Sequence, residues 1–193
     1  MNARLRIALL VTAGAVTGLA SSATLRTIDV TRKHGVYSLH ADTFLAASPE
    51  AIYQVLLDYE HFNRISRIYK EHRYLDPAPD GTPMIYTRME GCLLFYCKSM
   101  RRVERMQTVE PAFIRTDALP EQSDFKKSYS EWQLEPEPGG TRMIYTLVME
   151  PDFFVPPVIG PWLLERTLET GGSRTIQRIE RLAQAVEQDA DAG

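Results

Sequence analysis

Cysteine is scarce in this chain: two residues in 193, too few for a disulfide scaffold or a cysteine-rich zinc site. A basic excess is missing as well. The 22 Lys and Arg stand against 25 Asp and Glu, a formal charge of −3, which disfavours general nucleic-acid binding. The chain contains no Gly-x-Ser-x-Gly elbow, no His-Glu-x-x-His and no phosphate-cradling glycine loop. His34, His40, His61 and His72 show no ligand spacing with each other or with the cysteines, so no metal site and no cofactor are expected. What is present is ordinary for a folded chain: 44% hydrophobic and 24% charged residues. The length allows one domain with an appendage and excludes two large ones.

The N-terminus supplies the appendage. Arg4 and Arg6 make a short basic start, residues 7–19 are uncharged and mostly apolar, and Ser21-Ser22-Ala23 offers small side chains. That order is the layout of a secretory leader, and its apolar core is short for a bilayer span of about 20 residues. No amphipathic stripe runs through residues 8–14, as a buried core helix would need. Residues 1–23 are therefore expected to be a signal peptide cleaved after Ala23, giving a periplasmic or secreted protein; the alternative is an uncleaved membrane anchor. Cleavage removes Arg4 and Arg6, leaving 20 basic against 25 acidic residues, a formal charge of −5.

In the mature chain, residues 24–35 carry no periodic signal and read as an extended lead-in. Residues 36–46 suit a strand. Ser48-Pro49-Glu50 is a helix start: a hydroxyl cap, proline at the first helical position and an acid facing the positive end of the dipole. Ile52, Val55 and Leu56 recur at helical spacing, with a stop near Asp58 and one further short turn over 61–66. From 68 to 149 the signals are strands and turns: strands at 84–90, 94–107, 113–117, 127–134 and 142–149, a Pro/Gly loop at 76–81, and a hairpin turn at Pro138-Gly139-Gly140. Leu164, Leu168, Ile176, Ile179, Leu182 and Val186 then mark one face of a long helix. Gly171-Gly172 interrupts that helix, as a kink, as close packing on a strand, or as room for a ligand. Residues 184–193 read as an acidic, fraying end, with 189–193 disordered. The sum is an α+β chain: a curved antiparallel sheet of about seven strands wrapped on a long C-terminal helix, with two short helices after the first strand.

Several motifs in this order resemble one family. Ala47-Ser48-Pro49-Glu50-Ala51-Ile52-Tyr53-Gln54-Val55-Leu56-Leu57-Asp58-Tyr59-Glu60 resembles the opening of the START-like superfamily of polyketide cyclases and lipid-transfer domains. It is most similar to the coenzyme Q-binding branch. Ser130-Glu131-Trp132-Gln133-Leu134, followed by Gly140-Thr141-Arg142 and Tyr145, is similar to the penultimate hairpin, and residues 149–156 to the strand-to-helix crossover. The likeness spans residues 36–186, and it delimits a domain over 36–188. It implies a helix-grip fold around a hydrophobic cavity. It also implies a function among lipid carriers, quinone binders, cyclases and a ribosome-association toxin, the last of which export argues against.

Trp132, Tyr145, Leu147 and Met149 fall on same-face positions of two paired strands. With Phe153, Phe154, Pro156 and Trp162 they make the densest apolar cluster outside the leader, either plain core or the rigid mouth of a cavity. Tyr86, Phe95 and Leu168 are the next candidates for lining it. Burying an isoprenoid or acyl chain there would gain about 25 cal/mol per Å² removed from water. The expected partner is a hydrophobic small molecule, a lipid or quinone, with transient membrane-surface contact and no nucleic acid. No catalytic residue is assigned. A cyclase or dehydratase reading needs an inward acid or base, for which His40 and Asp117 are the simplest choices, and a third reading is a partner-binding module with a filled cavity. His40, Asp42, Arg88, Arg101, Arg115 and Asp117 are strand residues of which some could point inward, while the basic run at 100–105 reads as a solvated strand. Cys92 and Cys97 would lie about 16 Å apart on one straight strand. Gly91 can place the first in a turn, and a bent segment could then close a disulfide; two free buried thiols are the alternative.

Overall fold

Strand β1 (Thr24–Lys33) turns into β2 (Val36–Leu45), followed by helix α1 (Pro49–Leu57) and a short 3-10 helix (Tyr59–Arg64). Strands β3 (Tyr69–Leu75), β4 (Met84–Leu93), β5 (Tyr96–Val109), β6 (Phe113–Ala118), β7 (Phe125–Glu137) and β8 (Gly140–Pro151) come next, with one 3-10 turn at Pro120–Gln122 between β6 and β7. Helix α2 (Gly160–Asp191) completes the chain. This computed structural model describes residues 23–93, 96–155 and 160–193, the side chains of 93, 96 and 160–170 excepted. The expected leader lies outside the described residues but for Ala23.

All eight strands form one antiparallel sheet in the order β1-β2-β8-β7-β6-β5-β4-β3. The α+β helix-grip arrangement expected from the sequence is what the chain adopts, with one strand more. Residues 24–35, expected as a lead-in, are mostly β1, paired along β2 from Thr24↔Phe44 to Lys33↔Val36. Their periodicity is weak because β1 is an edge strand, and none of its residues is fully buried. Elsewhere alternation is clean. In β2, Tyr37, Leu39, Ala41, Thr43 and Leu45 all point inward and are buried.

The start of α1 is made as its residues dictate. The Ser48 hydroxyl accepts a hydrogen bond from the Ala51 N–H at 3.3 Å, a cap of a kind worth about 1 kcal/mol. Ile52, Val55 and Leu56 then turn into a core shared with Leu45, Ile85 and Ile114. Helix α2 runs unbroken through Gly171-Gly172. A Cβ on Gly172 would sit 3.4 Å from Ile28 Cδ1 of β1, in van der Waals contact with that strand, whereas one on Gly171 would meet nothing within 4 Å.

The C-terminal end departs from expectation. The helix continues to Asp191, so residues 184–191 are helical and only the last two lie beyond it. The reason is anchoring. The Gln184 side chain donates to the Ala46 carbonyl at 2.9 Å, and Glu187 Oε1 accepts from the Ser48 N–H at 2.6 Å.

The outer sheet face is laced with ion pairs. Arg115 contacts Asp117 and Glu131, Arg142 contacts Asp42 and Glu135, and Arg88 contacts Glu71 and Glu90. Such exposed pairs contribute about 1 kcal/mol or less each. A carboxylate in the loop between β3 and β4 gives a pH signature. Asp80 accepts bonds from Thr82 and Arg105, Thr82 foremost, and its pKa falls from 3.8 to about 2. A depressed folded pKa means stability present above 3.8 and lost as pH falls towards about 2. Acid titration followed by circular dichroism is expected to show Asp80→Asn with a flatter stability profile across that window than the wild type. Equal slopes would remove Asp80 from the account.

Candidate functional site

Strand register decides which side chains meet inside the fold. Trp132 of β7 stands opposite Tyr145 of β8, Ser130 opposite Leu147, and Ser128 opposite Met149. These all point to the concave face, and the Trp132 and Tyr145 rings lie 5.0 Å apart. Although they face inward, Tyr145, Leu147 and Met149 are only half-buried.

Next to this apolar row lies a buried polar cluster. Arg102 and Glu104 of β5 point inward, 7% and 1% exposed. Arg102 Nε stands 3.5 Å from Glu104 Oε2. The Thr116 hydroxyl donates to Glu104 Oε1 at 2.9 Å and lies 2.8 Å from the Ser130 hydroxyl. Arg102 Nη1 donates to the Ser128 hydroxyl at 3.3 Å. Two buried polar atoms of the inner face nevertheless lack a hydrogen-bond partner among the described residues, Arg102 Nε and the Thr87 hydroxyl, on residues directly across the β4–β5 ladder from each other; Asp42 Oδ1, on the outer face, is a third. Leaving a buried donor unpaired costs about 1–3 kcal/mol.

The electrostatics keep the cluster charged on one side and protonated on the other. Burial opposes the charge on Arg102, but Glu104 and the surrounding tyrosines outweigh it and hold the guanidinium above its ordinary value. Burial pushes the phenols of Tyr59, Tyr69 and Tyr145 up, with Arg102 acting the other way on each. At neutral pH the inner face therefore offers phenolic O–H groups and a fixed cation beside a carboxyl group. Chemically this can hold a carbonyl, hydroxyl or carboxylate at the end of an apolar body.

The sequence candidates divide clearly. Trp132, Tyr145 and Leu147 lie on the inner face together. Phe153 follows β8, edge-on to Phe125 at 5.9 Å and with Lys98 Nζ 5.0 Å from its ring centre, while Phe154 is 72% exposed. Phe95 and Pro156 lie outside the described residues, as do the side chains of Trp162 and Leu168 on α2. Tyr86 is a correction. It neighbours the inward Ile85 and Thr87 and so points to the outer face, under the Arg73 guanidinium at 4.3 Å.

His40 and Asp117 are corrections of the same kind. His40 is exposed beside Thr146, and Asp117 is paired to Arg115 outside. Asp42, Arg88, Arg101 and Arg115 share that outer face. The inward charges come instead from the run expected to be solvated. Arg101 and Arg105 alternate outward, and the buried pair is Arg102 and Glu104. A signal was there: opposite charges two apart on a strand share a face. Cys92 and Cys97 are joined, directly opposite each other across the β4–β5 hairpin with Cα atoms 3.9 Å apart. Gly91 is not in a turn: it lies within β4, paired with Lys98.

A curved sheet gripping one long helix, with its polar groups sunk in the concave face, defines a helix-grip protein. The chain belongs to the polyketide cyclase/dehydrase and lipid transport family, whose sequence model matches residues 45–169. A START superfamily protein from Mycobacterium smegmatis is 24% identical, with a TM-score of 0.58 over 75% of this chain and 98% of that one. A STAR-related lipid transfer protein from Xanthomonas axonopodis is 14% identical, TM-score 0.60, over 81% of this chain and 98% of that one. An aromatase/cyclase from Streptomyces is 12% identical, TM-score 0.60, covering 77% and 94% respectively. At these identities the likeness establishes the fold. None of the curated proteins matches the sequence significantly.

Proposed function

We propose that the protein is an exported carrier that holds a hydrophobic small molecule, a lipid or quinone, between the inner sheet face and α2. Its polar end would lie at Arg102 and Glu104. The observation that carries this reading is the unsatisfied pair inside the cluster. Among the described residues Arg102 Nε and the Thr87 hydroxyl are buried without hydrogen-bond partners, and a ligand carbonyl or hydroxyl would satisfy both. Trp132, Tyr145 and Leu147 supply the apolar wall beside it. Export is supported by the leader-like N-terminus and by the Cys92–Cys97 disulfide, a bond that persists in oxidising compartments. Transient contact with an anionic membrane surface is supported by exposed Phe154 and by Lys98, whose ammonium lies over the ring of the adjoining Phe153.

The test is mass spectrometry of organic extracts from protein exported natively and purified without detergent. A stoichiometric lipid or quinone bearing a carbonyl or hydroxyl end group is the expected result. Folded protein yielding an empty extract, and binding no such molecule on addition, overturns the carrier reading.

One observation favours a second reading, a cyclase-type enzyme. Glu104 and the protonated Tyr145 both lie on the inner face, so an inward acid exists even though His40 and Asp117 point away. A carrier returns its ligand unchanged, whereas an enzyme converts an aromatic polyketide-like substrate and loses that conversion in Glu104→Gln.

A further inference from the structure

We propose that the mature chain begins at Ala23, released by cleavage after Ser22, and that Glu180 is the built-in counter-ion of the resulting α-ammonium group. The inference rests on the export reading and fixes its processing site. Glu180 is only 5% exposed, and its carboxylate receives two backbone N–H groups: Ala23 at 2.8 Å on Oε2 and Ala46 at 2.8 Å on Oε1. No Lys, Arg or His among the described residues forms an ion pair with it. A buried carboxylate held by two neutral amides alone is an expensive arrangement, and a positive charge at one of those nitrogens removes the expense.

The seat for that nitrogen is already built. The Ala23 methyl packs against the hydrophobic core. Ala46, which shares the carboxylate, is itself fixed by Gln184 through its carbonyl. Strand β1 starts beside the end of β2, so the chain terminus and the β2–α1 connection converge on one face of α2.

The sequence alone leaves two cuts open. Leader peptidases read small residues at the last and third-last positions of the leader. Ala20 and Ser22 satisfy this for a cut after Ser22, and Ser21 and Ala23 for the cut after Ala23 expected from composition. The fold separates them. The later cut discards the residue whose nitrogen Glu180 holds and moves the new terminus on by about 3.8 Å of chain. The step itself is hydrolysis: the Ser22–Ala23 amide bond breaks, water's oxygen joins the Ser22 carboxyl, and the Ala23 nitrogen takes the proton.

The full chain expressed in an exporting bacterial host, recovered from the periplasm, tests this by intact mass and N-terminal sequencing. A single terminus reading Ala-Thr-Leu-Arg is expected. A terminus at Thr24 or elsewhere overturns the inference while leaving export standing. An exported chain that keeps residues 1–22 overturns the inference in favour of an uncleaved anchor, and a chain found only in the cytoplasm with those residues intact overturns export and this inference with it. A second readout addresses Glu180 directly, using forms starting at Ala23 and at Thr24 freed from a cleavable tag. The α-amino group of the Ala23 form should titrate about one pH unit or more above its ordinary range, and Glu180→Gln should return it to that range. An Ala23 form that titrates like the Thr24 form refutes the counter-ion role.

Discussion

Replacing Glu104 by leucine is expected to lower folding stability by about 3–5 kcal/mol, because it leaves the Arg102 guanidinium buried without its carboxylate. The Thr116 hydroxyl loses its acceptor in the same step. For a chain of this size the thermal midpoint should fall by about 10 °C. The companion variant tells burial from general damage. Arg102→Met with Glu104→Leu removes both charges and fills the space with apolar atoms, and an ion pair replaced in this way is often neutral or better. The double variant should therefore recover most of the lost stability while losing the copurified ligand or exchanging it for a less polar one. Urea unfolding and extract mass spectrometry read the two effects separately. A single Glu104→Leu variant as stable as wild type would mean that the pair is not desolvated, and the polar site would lose its basis.

The second large effect is at a turn. Gly140→Ala should cost about 3 kcal/mol or more, at the upper end of what an added methyl group does to a packed site. Its new Cβ would fall 2.1 Å from the Leu45 carbonyl oxygen and 3.0 Å from Ala46 Cα, main-chain atoms with no rotamer to escape into. That backbone is also held from behind by Glu180 and Gln184. Gly139 makes the contrast. Its φ is +85° but a Cβ there meets nothing within 4 Å, so Gly139→Ala carries only left-handed backbone strain of about 1–2 kcal/mol. Chemical denaturation of the two variants should rank them in that order, and the reverse ranking would contradict the packing of the β7–β8 hairpin on the end of β2.

The fold was largely legible because its signals are local. The Ser48 cap, the alternation in β2 and the three- and four-residue recurrence in α2 each follow from neighbours in the chain. What was not legible depends on partners far away. Strand β1 has little alternation of its own, since its order comes from pairing with β2 and from packing on Gly172. The apolar wall at Trp132, Tyr145 and Leu147 could be placed because one hairpin sets their register. Tyr86 was misplaced because Met84 and Val103 on its outer side are buried as well, so hydrophobicity marks neither face of β4. The Arg102–Glu104 pair was hidden in a charge run that reads as surface. Only the sheet's curvature around the inner face takes two of those charges out of water.

The sheet order has a consequence for when the chain can fold. Strand β2 pairs with β8, and the Thr43 hydroxyl bonds the Met143 carbonyl 100 residues later. The junction after β2 is then fastened by Glu180, Gln184 and Glu187, near the very end of α2. The β3–β6 meander can form early, because each of its strands pairs with its neighbour in sequence. The front of the molecule cannot dock early, since closing the long loop from β2 to β8 precedes any contact that rewards it. Strand β1 can pair with β2 as a local hairpin, but that hairpin cannot join the sheet until β8 has been made. A chain built in this order closes its core last at the front, so a nascent polypeptide that still lacks β8 and α2 carries β2 with its inner edge unpaired.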